Sequence, residues 1–307
     1  MRNVLLTGAS GFVGAAVARQ MVAQGRNVAL LLRSSSDTRR IDDILDKVTV
    51  IRGDMANIGQ ARDEISAFAP QAVAHLAWQG VKGADRNSYE QADNVPASVA
   101  LYRLAAELGC SRFVGLGSQA EYGPCPARSD EQVPTRPTTV YGAAKLSTFC
   151  LLDRMAAADG NSFAWLRLFS SYGPGDDPSW LIPYMTLRLL SGEKPSLTKG
   201  EQLWDYIYVD DAAAAVVSLI DSDATGAFNL GSGQAWPLHD LITKIRDLID
   251  PALPLGFGDV PYRPDQVMHL EADITALSRA TGWTPKMPLD DGLKNTVDWY
   301  RNWKQSQ

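Results

Sequence analysis

Six short stretches in the first 170 residues are nearly continuous in apolar side chains: NVLLTG, NVALLLR, VTVIRGD, AVAHLAW, RFVGLGS and FAWLRLF. Strands buried on both faces read this way, because neither face has to alternate with polar residues. Between them lie segments with helical spacing of apolar residues, such as GAAVARQMVAQG and NVPASVALYRLAAELG. The alternation predicts βαβ units and an α/β fold, with a parallel sheet covered by helices on both sides.

After about residue 171 the rhythm changes. SYGPGDDPSW and SLTKGEQLW are rich in turn formers, PLHDLITKIRDLI reads as a helix, and PALPLGFGDVPYRP is rich in proline. We therefore expect residues 1–170 to form one domain. Residues 171–307 would form a smaller lobe over the carboxyl ends of the strands. Within that half, 205–232 (YIYVDDAAAAVVSLI and AFNLGSG) is expected to return to the main sheet.

Composition excludes more than it identifies. The 307 residues are 45% apolar and 21% charged, with a net charge of −6. Nucleic acids and anionic membranes both attract basic faces, so neither is an expected partner. The opening MRNVLLTGAS enters a strand directly, without the pattern of a signal peptide. No apolar run approaches the length of a membrane span, and a cytoplasmic location is expected. Cys110, Cys125 and Cys150 are odd in number and lack CxxC spacing, as in a reduced protein. His75, His239 and His269 have no metal-site spacing.

The junction of the first strand and first helix is Thr7-Gly8-Ala9-Ser10-Gly11-Phe12-Val13-Gly14. Gly8 can take angles closed to other residues, Gly11 admits a pyrophosphate to the backbone, and Gly14 allows helix and strand to touch. Ser10, Phe12 and Val13 complete the turn. Its context, after a strand and opening a helix, is what a dinucleotide site requires, whereas a bare tight turn would serve packing alone. An NAD site usually closes its second strand with a carboxylate for the ribose 2′-OH. Here that strand runs through Leu32 into Arg33, Ser34, Ser35 and Ser36, with Arg39 and Arg40 behind. Arg33 can grip a 2′-phosphate with a forked pair of hydrogen bonds, assisted by Ser34. NADP(H) is the preferred cofactor on this reading. NAD(H) remains open if the loop is merely exposed.

VYGAAKL sets Tyr141 and Lys145 four apart, on one helix face, and RFVGLGSQAEYG ends a buried strand at Ser118. A surface Tyr–Lys pair is the plainer alternative. The glycine turn, Ser118 and Tyr141-x-x-x-Lys145, in this order and spacing, resemble the extended short-chain dehydrogenase/reductase family. The closest likeness is to its epimerase/dehydratase branch acting on nucleotide sugars, and it runs along the whole chain.

The resemblance implies a Rossmann-type doubly wound parallel sheet with a smaller C-terminal α/β lobe for substrate. It implies that Asp54 and Met55 lie against the adenine, and that Leu76, Ala77 and Trp78 line the cofactor. Tyr141 would be the general acid/base, and Lys145 would favour its phenolate and hold the nicotinamide ribose. Ser118 would orient the reacting substrate oxygen. The substrate would be a nucleotide sugar and the assembly a homodimer, through helices near PASVALYRLAAE and TVYGAAKLSTFCLLDRM.

Three departures bear on the reaction. Dehydratases of the family carry Asp-Glu directly after the residue matching Ser118; here Gln119 and Ala120 stand there, and neither is an acid. Glu121 comes one position late and, on a strand, would face away. Ser170 replaces a frequent Asn, and Trp204 replaces a frequent diphosphate-binding Arg, while Arg263 still matches a second one. Trp204 could stack on substrate or simply pack. We therefore expect an NADPH-dependent reductase of a nucleotide-linked keto-sugar, a 4-keto-6-deoxyhexose by preference. The alternatives are an NAD-dependent nucleotide-sugar 4-epimerase and a non-catalytic cofactor-sensing protein, the last disfavoured by the intact Ser118, Tyr141 and Lys145.

Overall fold

All six apolar runs become strands in the computed structural model, which describes residues 2–125, 127–263 and 266–306. They are β1 (Val4–Thr7), β2 (Val28–Leu32), β3 (Thr49–Arg52), β4 (Ala72–His75), β5 (Arg112–Ser118) and β6 (Ser162–Leu168). The remaining strands are β7 (Ser171–Tyr172), β8 (Ser196–Leu197), β9 (Leu203–Asp205), β10 (Ile207–Tyr208), β11 (Gly226–Leu230), β12 (Ala235–Pro237), β13 (Gly256–Phe257) and β14 (His269–Leu270). The helices are α1 (Phe12–Ala23), α2 (Arg62–Phe68), α3 (Asn94–Glu107), α4 (Val140–Asp159), α5 (Leu181–Leu190), α6 (Val209–Asp221), α7 (Leu238–Ile249), α8 (Thr275–Thr281) and α9 (Leu289–Gln305).

The main sheet has seven strands in the order β3-β2-β1-β4-β5-β6-β11. Every pairing in it is parallel. Successive side chains of a strand leave opposite faces, so β1 feeds two cores. Val4 and Leu6 pack with Met21 of α1 and Val216 and Ile220 of α6. Leu5 packs with Leu101 of α3, Leu152 of α4 and Phe163 of β6. Each fully buried Leu or Ile contributes roughly 1.5–3 kcal/mol, which makes these layers the main stabilising element. Strand order reverses between β1 and β4, and an open α/β sheet leaves a crevice at that point.

The returning segment is narrower than 205–232. Only β11 joins the main sheet, beside β6, while α6 covers the α1 face. β10 pairs with β7 in a separate two-stranded ladder. β9 lies between β12 and β14 in the smaller lobe. That lobe has its own core, where Ile182 and Met185 of α5 meet Leu241 and Ile245 of α7 and Leu293 and Val297 of α9. No helix among the described residues is long and apolar enough to cross a membrane.

Candidate active site

The crevice holds a cavity of about 640 Å³ between the sheet and the smaller lobe. The glycine turn forms one wall. Gly8 sits at φ +79°, and a Cβ there would lie 2.6 Å from the Ala77 nitrogen. A Cβ at Gly14 would collide with the Gly8 carbonyl, so α1 can approach the turn only because residue 14 is glycine. Gly11 caps α1 without any side-chain hydrogen bond, and the first turn of α1 has no acidic residue. The free N–H groups and positive dipole end there suit a pyrophosphate. The turn therefore fits a dinucleotide.

Ser118 ends β5 and is held from below. Gly115 and Gly117 leave room for Trp165 of β6, whose ring a Cβ at either position would strike. The Trp165 indole donates to Oε1 of Glu121 (2.8 Å), and the Ser118 N–H donates to the same oxygen (2.9 Å). Oε2 of Glu121 accepts from Nε of Arg167 (2.8 Å). Glu121 is wholly buried. It faces away from the cavity, as expected, but for a different reason. The strand stops at Ser118, a 3-10 turn follows (Gln119–Glu121), and the chain folds Glu121 back beneath Ser118.

Tyr141 and Lys145 rise from the first turns of α4, which Thr139 caps through the Gly142 nitrogen. A Cβ on Gly142 would strike the Ala120 carbonyl, so glycine lets α4 dock on the Ser118 turn. Ser118, Tyr141 and Lys145 all line the cavity. Burial pushes the Tyr141 phenol up, while a hydrogen bond with Ser118 and the charge of Arg86 draw it back. Burial pushes Lys145 down to about 7. Nζ of Lys145 donates to the Leu116 carbonyl (2.6 Å) and lies 3.8 Å from the centre of the Trp78 ring. It is 5.9 Å from the Tyr141 ring centre, whereas the Arg86 guanidinium is 4.4 Å from it. Arg86, the nearer of the two cations to that ring, comes from a 3-10 turn (Gly83–Asn87) that no pattern in the sequence distinguishes.

The two substitutions at 170 and 204 prove to be one contact. Trp204 donates its indole N–H to Oγ of Ser170 (2.8 Å), and both line the cavity with Arg263. Another cavity residue escaped the sequence reading: Asp176, 6% exposed, whose carboxyl burial pushes up to about 7. Phe12, Val13, Leu76 and Trp78 line the cavity as expected, together with Gly8, Gly11 and Gly14.

Ser10, Arg33, Ser34, Asp54, Met55 and Ala77 do not line it. Ala77 packs on the Gly8 turn and donates its N–H to Thr7 (3.2 Å). Asp54 caps a 3-10 turn by accepting from the Ala56 N–H. Met55 is partly buried and packs against the α3 side of the core. Arg33 and Ser34 follow β2 on an exposed loop.

A strand–glycine turn–helix unit at the crevice of a doubly wound sheet, opening on a buried Ser-Tyr-Lys cluster, defines a dinucleotide-dependent α/β protein. Residues 4–231 match the model of the NAD dependent epimerase/dehydratase family, and the chain belongs to that family. It is similar to dTDP-glucose 4,6-dehydratase 1 of Escherichia coli K12, at 26% identity over 97% of this chain and 92% of that one. Its structure resembles the UDP-glucose 4-epimerase of Thermotoga maritima, solved with UDP-glucose: TM-score 0.89, 26% identity, 98% of this chain and 99% of that one. It also resembles the UDP-glucose 4-epimerase of Thermus thermophilus, solved in complex with NAD: TM-score 0.86, 25% identity, 97% and 98% covered.

Proposed function

We propose that the chain is an NADPH-dependent reductase of a nucleotide-linked keto-sugar, by preference a 4-keto-6-deoxyhexose. The observation that carries the reductase reading is the end of β2. Among the described residues the Arg33 guanidinium makes no hydrogen bond or ion pair; only its backbone is engaged, by Ser36 and Arg52. Arg52 brings a second cation to the same spot. The nearby Asp37 is held by Arg39 (3.0 Å) and Arg40 by the Gly175 carbonyl (3.0 Å). A 2′-phosphate would meet two cations with no carboxylate committed against it.

Dehydration is disfavoured by chemistry, since Gln119 and Ala120 carry no proton to give and Glu121 is locked to Arg167. The cofactor would supply the hydride when bound. Tyr141 would donate a proton to the carbonyl oxygen as it becomes a hydroxyl, and Ser118 would hold that oxygen in place. Lys145 would hold the nicotinamide ribose. Ser170, Trp204 and Arg263 would line the nucleotide-sugar side, with Arg263 placed for a phosphate. We further propose a homodimer through α3 and α4.

The second reading, an NAD-dependent nucleotide-sugar 4-epimerase, draws its support from the two Thermotoga and Thermus relatives. Fluorescence titration of cofactor-free protein with NADPH and NADH separates the two. We expect NADPH to bind at least tenfold tighter, with the preference abolished in Arg33→Asp. Equal binding, or tighter NADH, removes the reductase reading and leaves the epimerase.

A further inference from the structure

Arg86 enters the site from a segment that packs against it without joining the sheet. The loop between β4 and α3 is exposed along most of its length, yet it is firmly anchored. Gln91, 2% exposed, is its hub. Its Nε2 donates to the carbonyls of Gln79 (3.2 Å), Gly80 (2.5 Å) and Asp85 (2.9 Å). Its Oε1 accepts from the Trp78 indole (2.9 Å). Asn94 clamps the same loop, accepting from the Gln79 N–H (2.9 Å) and donating to the Gln79 carbonyl (3.2 Å). Trp78, so held, packs edge-on against Tyr141, with ring centres 6.1 Å apart. The turn bearing Arg86 is therefore fixed relative to the phenol, and the guanidinium lies over the ring face at 4.4 Å. Arg86 forms no ion pair among the described residues, so no carboxylate neutralises it there.

The geometry points to Arg86 as a positioning residue for the acid/base: its charge, held over the Tyr141 ring by the Gln91 hub, stabilises the phenolate and so sets the pH at which the tyrosine exchanges its proton. A cation over an aromatic face is attracted to the ring's electron density, and more strongly when that ring is negative. The other groups facing Tyr141 are accounted for. Ser118, across the same cavity, favours ionisation of the phenol, and Glu121 opposes it from beneath. Lys145, on the next turn of α4, donates to the Leu116 carbonyl, lies over Trp78 and stands farther from the Tyr141 ring centre, at 5.9 Å, than Arg86 does. Burial raises the phenol and Arg86 counters it, so removing that charge leaves the rise unopposed from this side. The inference rests on the reading of Tyr141 as the acid/base, but not on which reaction it serves, since a reductase and an epimerase both need the phenol to change charge.

The test needs no substrate. Tyrosine at 141 is replaced by 3,5-difluorotyrosine, whose phenol is intrinsically more acidic, so that its titration falls where the fold survives. Fluorine NMR follows it in otherwise native protein, in Arg86→Met and in Arg86→Lys. Arg86→Met is expected to raise the midpoint by about one pH unit, a tenfold loss of phenolate at a given pH, with the thermal midpoint unchanged. Arg86→Lys is expected to recover at least half of the shift. An unmoved midpoint in Arg86→Met overturns the proposal, and so does an equal shift in Arg86→Lys, because the charge would then not be the cause. A Tyr141→Phe variant that keeps its hydride-transfer activity would refute the acid/base role while leaving the titration as it is, so the two failures are told apart.

Discussion

Replacing Tyr141 with phenylalanine removes one oxygen and leaves the ring between Trp78 and Arg86. Proton transfer by a placed side chain is worth about 10²–10⁴ in rate. Tyr141→Phe should therefore lower hydride transfer by that factor while changing cofactor affinity little, as measured by turnover alongside the NADPH titration. A loss confined to affinity would contradict the role. His75 illustrates a different residue-scale effect. It lies buried under the site, with Nδ1 at Thr7 Oγ1 (2.9 Å) and Nε2 at Ser98 Oγ (2.9 Å). Ser98 donates to the Asn94 carbonyl, so its oxygen accepts from Nε2–H, and the ring is neutral. Burial, with Lys145 adding repulsion, pushes His75 down to about 3.

The folded value thus lies below the unfolded one, about 6.5. The unfolded chain takes up the proton first, so the contribution of His75 is full above pH 6.5 and is lost as pH falls toward 3. Between pH 6.5 and 5 the loss is about 2 kcal/mol. Asp176 runs the other way across pH 4–7, because its raised value favours the folded, protonated form as pH falls. Comparing wild type with His75→Gln in urea unfolding at the two pH values isolates the histidine. The same pH dependence in both proteins would show that His75 does not titrate on unfolding.

At the scale of elements, the Ser118 turn is set by its neighbours rather than by itself. The glycines of β5 admit Trp165, Trp165 and Arg167 hold Glu121, and Glu121 takes the Ser118 N–H. Arg167 continues the network to the Tyr122 hydroxyl (2.9 Å), which donates to Asn229 of β11 (2.7 Å). Three neighbouring strands are thereby coupled beneath the site. Glu121→Gln would leave a buried guanidinium without its counter-charge, and we expect a loss of about 3–5 kcal/mol in denaturant unfolding. If Glu121 instead delivered a proton to substrate, the variant would unfold normally and lose turnover alone.

Across the whole molecule, the two halves are joined by the loop after β7. Arg40, beyond β2, donates twice to the Gly175 carbonyl (3.1 and 3.0 Å). Lys82, before the Arg86 turn, pairs with Asp177. Tyr300 of α9 donates to the Asp176 carbonyl (2.6 Å). Three distant stretches of chain thus converge on Gly175, Asp176 and Asp177, of which Asp176 lines the cavity. Arg40→Ala should cost about 1–2 kcal/mol and speed amide exchange at 173–177 relative to the sheet. Uniform exchange across the protein would show that Arg40 is not a local tie.

Much of this organisation is local and could be read from the chain. A strand buried on both faces needs a continuous apolar run, so β1 to β6 were legible one by one. Gly8, Gly11 and Gly14 answer to backbone geometry within one turn, and Tyr141 and Lys145 to the pitch of one helix. The same locality explains what stayed hidden. Nothing near Arg86 in sequence marks it, because its partner is a ring on another element. Glu121 was assigned its direction from strand alternation, but the strand ended sooner, and Trp165 and Arg167 decided where the carboxylate went. Ser170 and Trp204 looked like two separate departures until the fold joined them by one hydrogen bond. The sequence by itself determined the strands and the phosphate-fitting turn, since each follows from periodicity or backbone sterics over a few residues, while the Ser-Tyr-Lys cluster was named through the family resemblance. Which cation meets the tyrosine, which acid is locked away and how the halves are tied were decided only by tertiary structure, because charge and burial act between groups far apart along the chain.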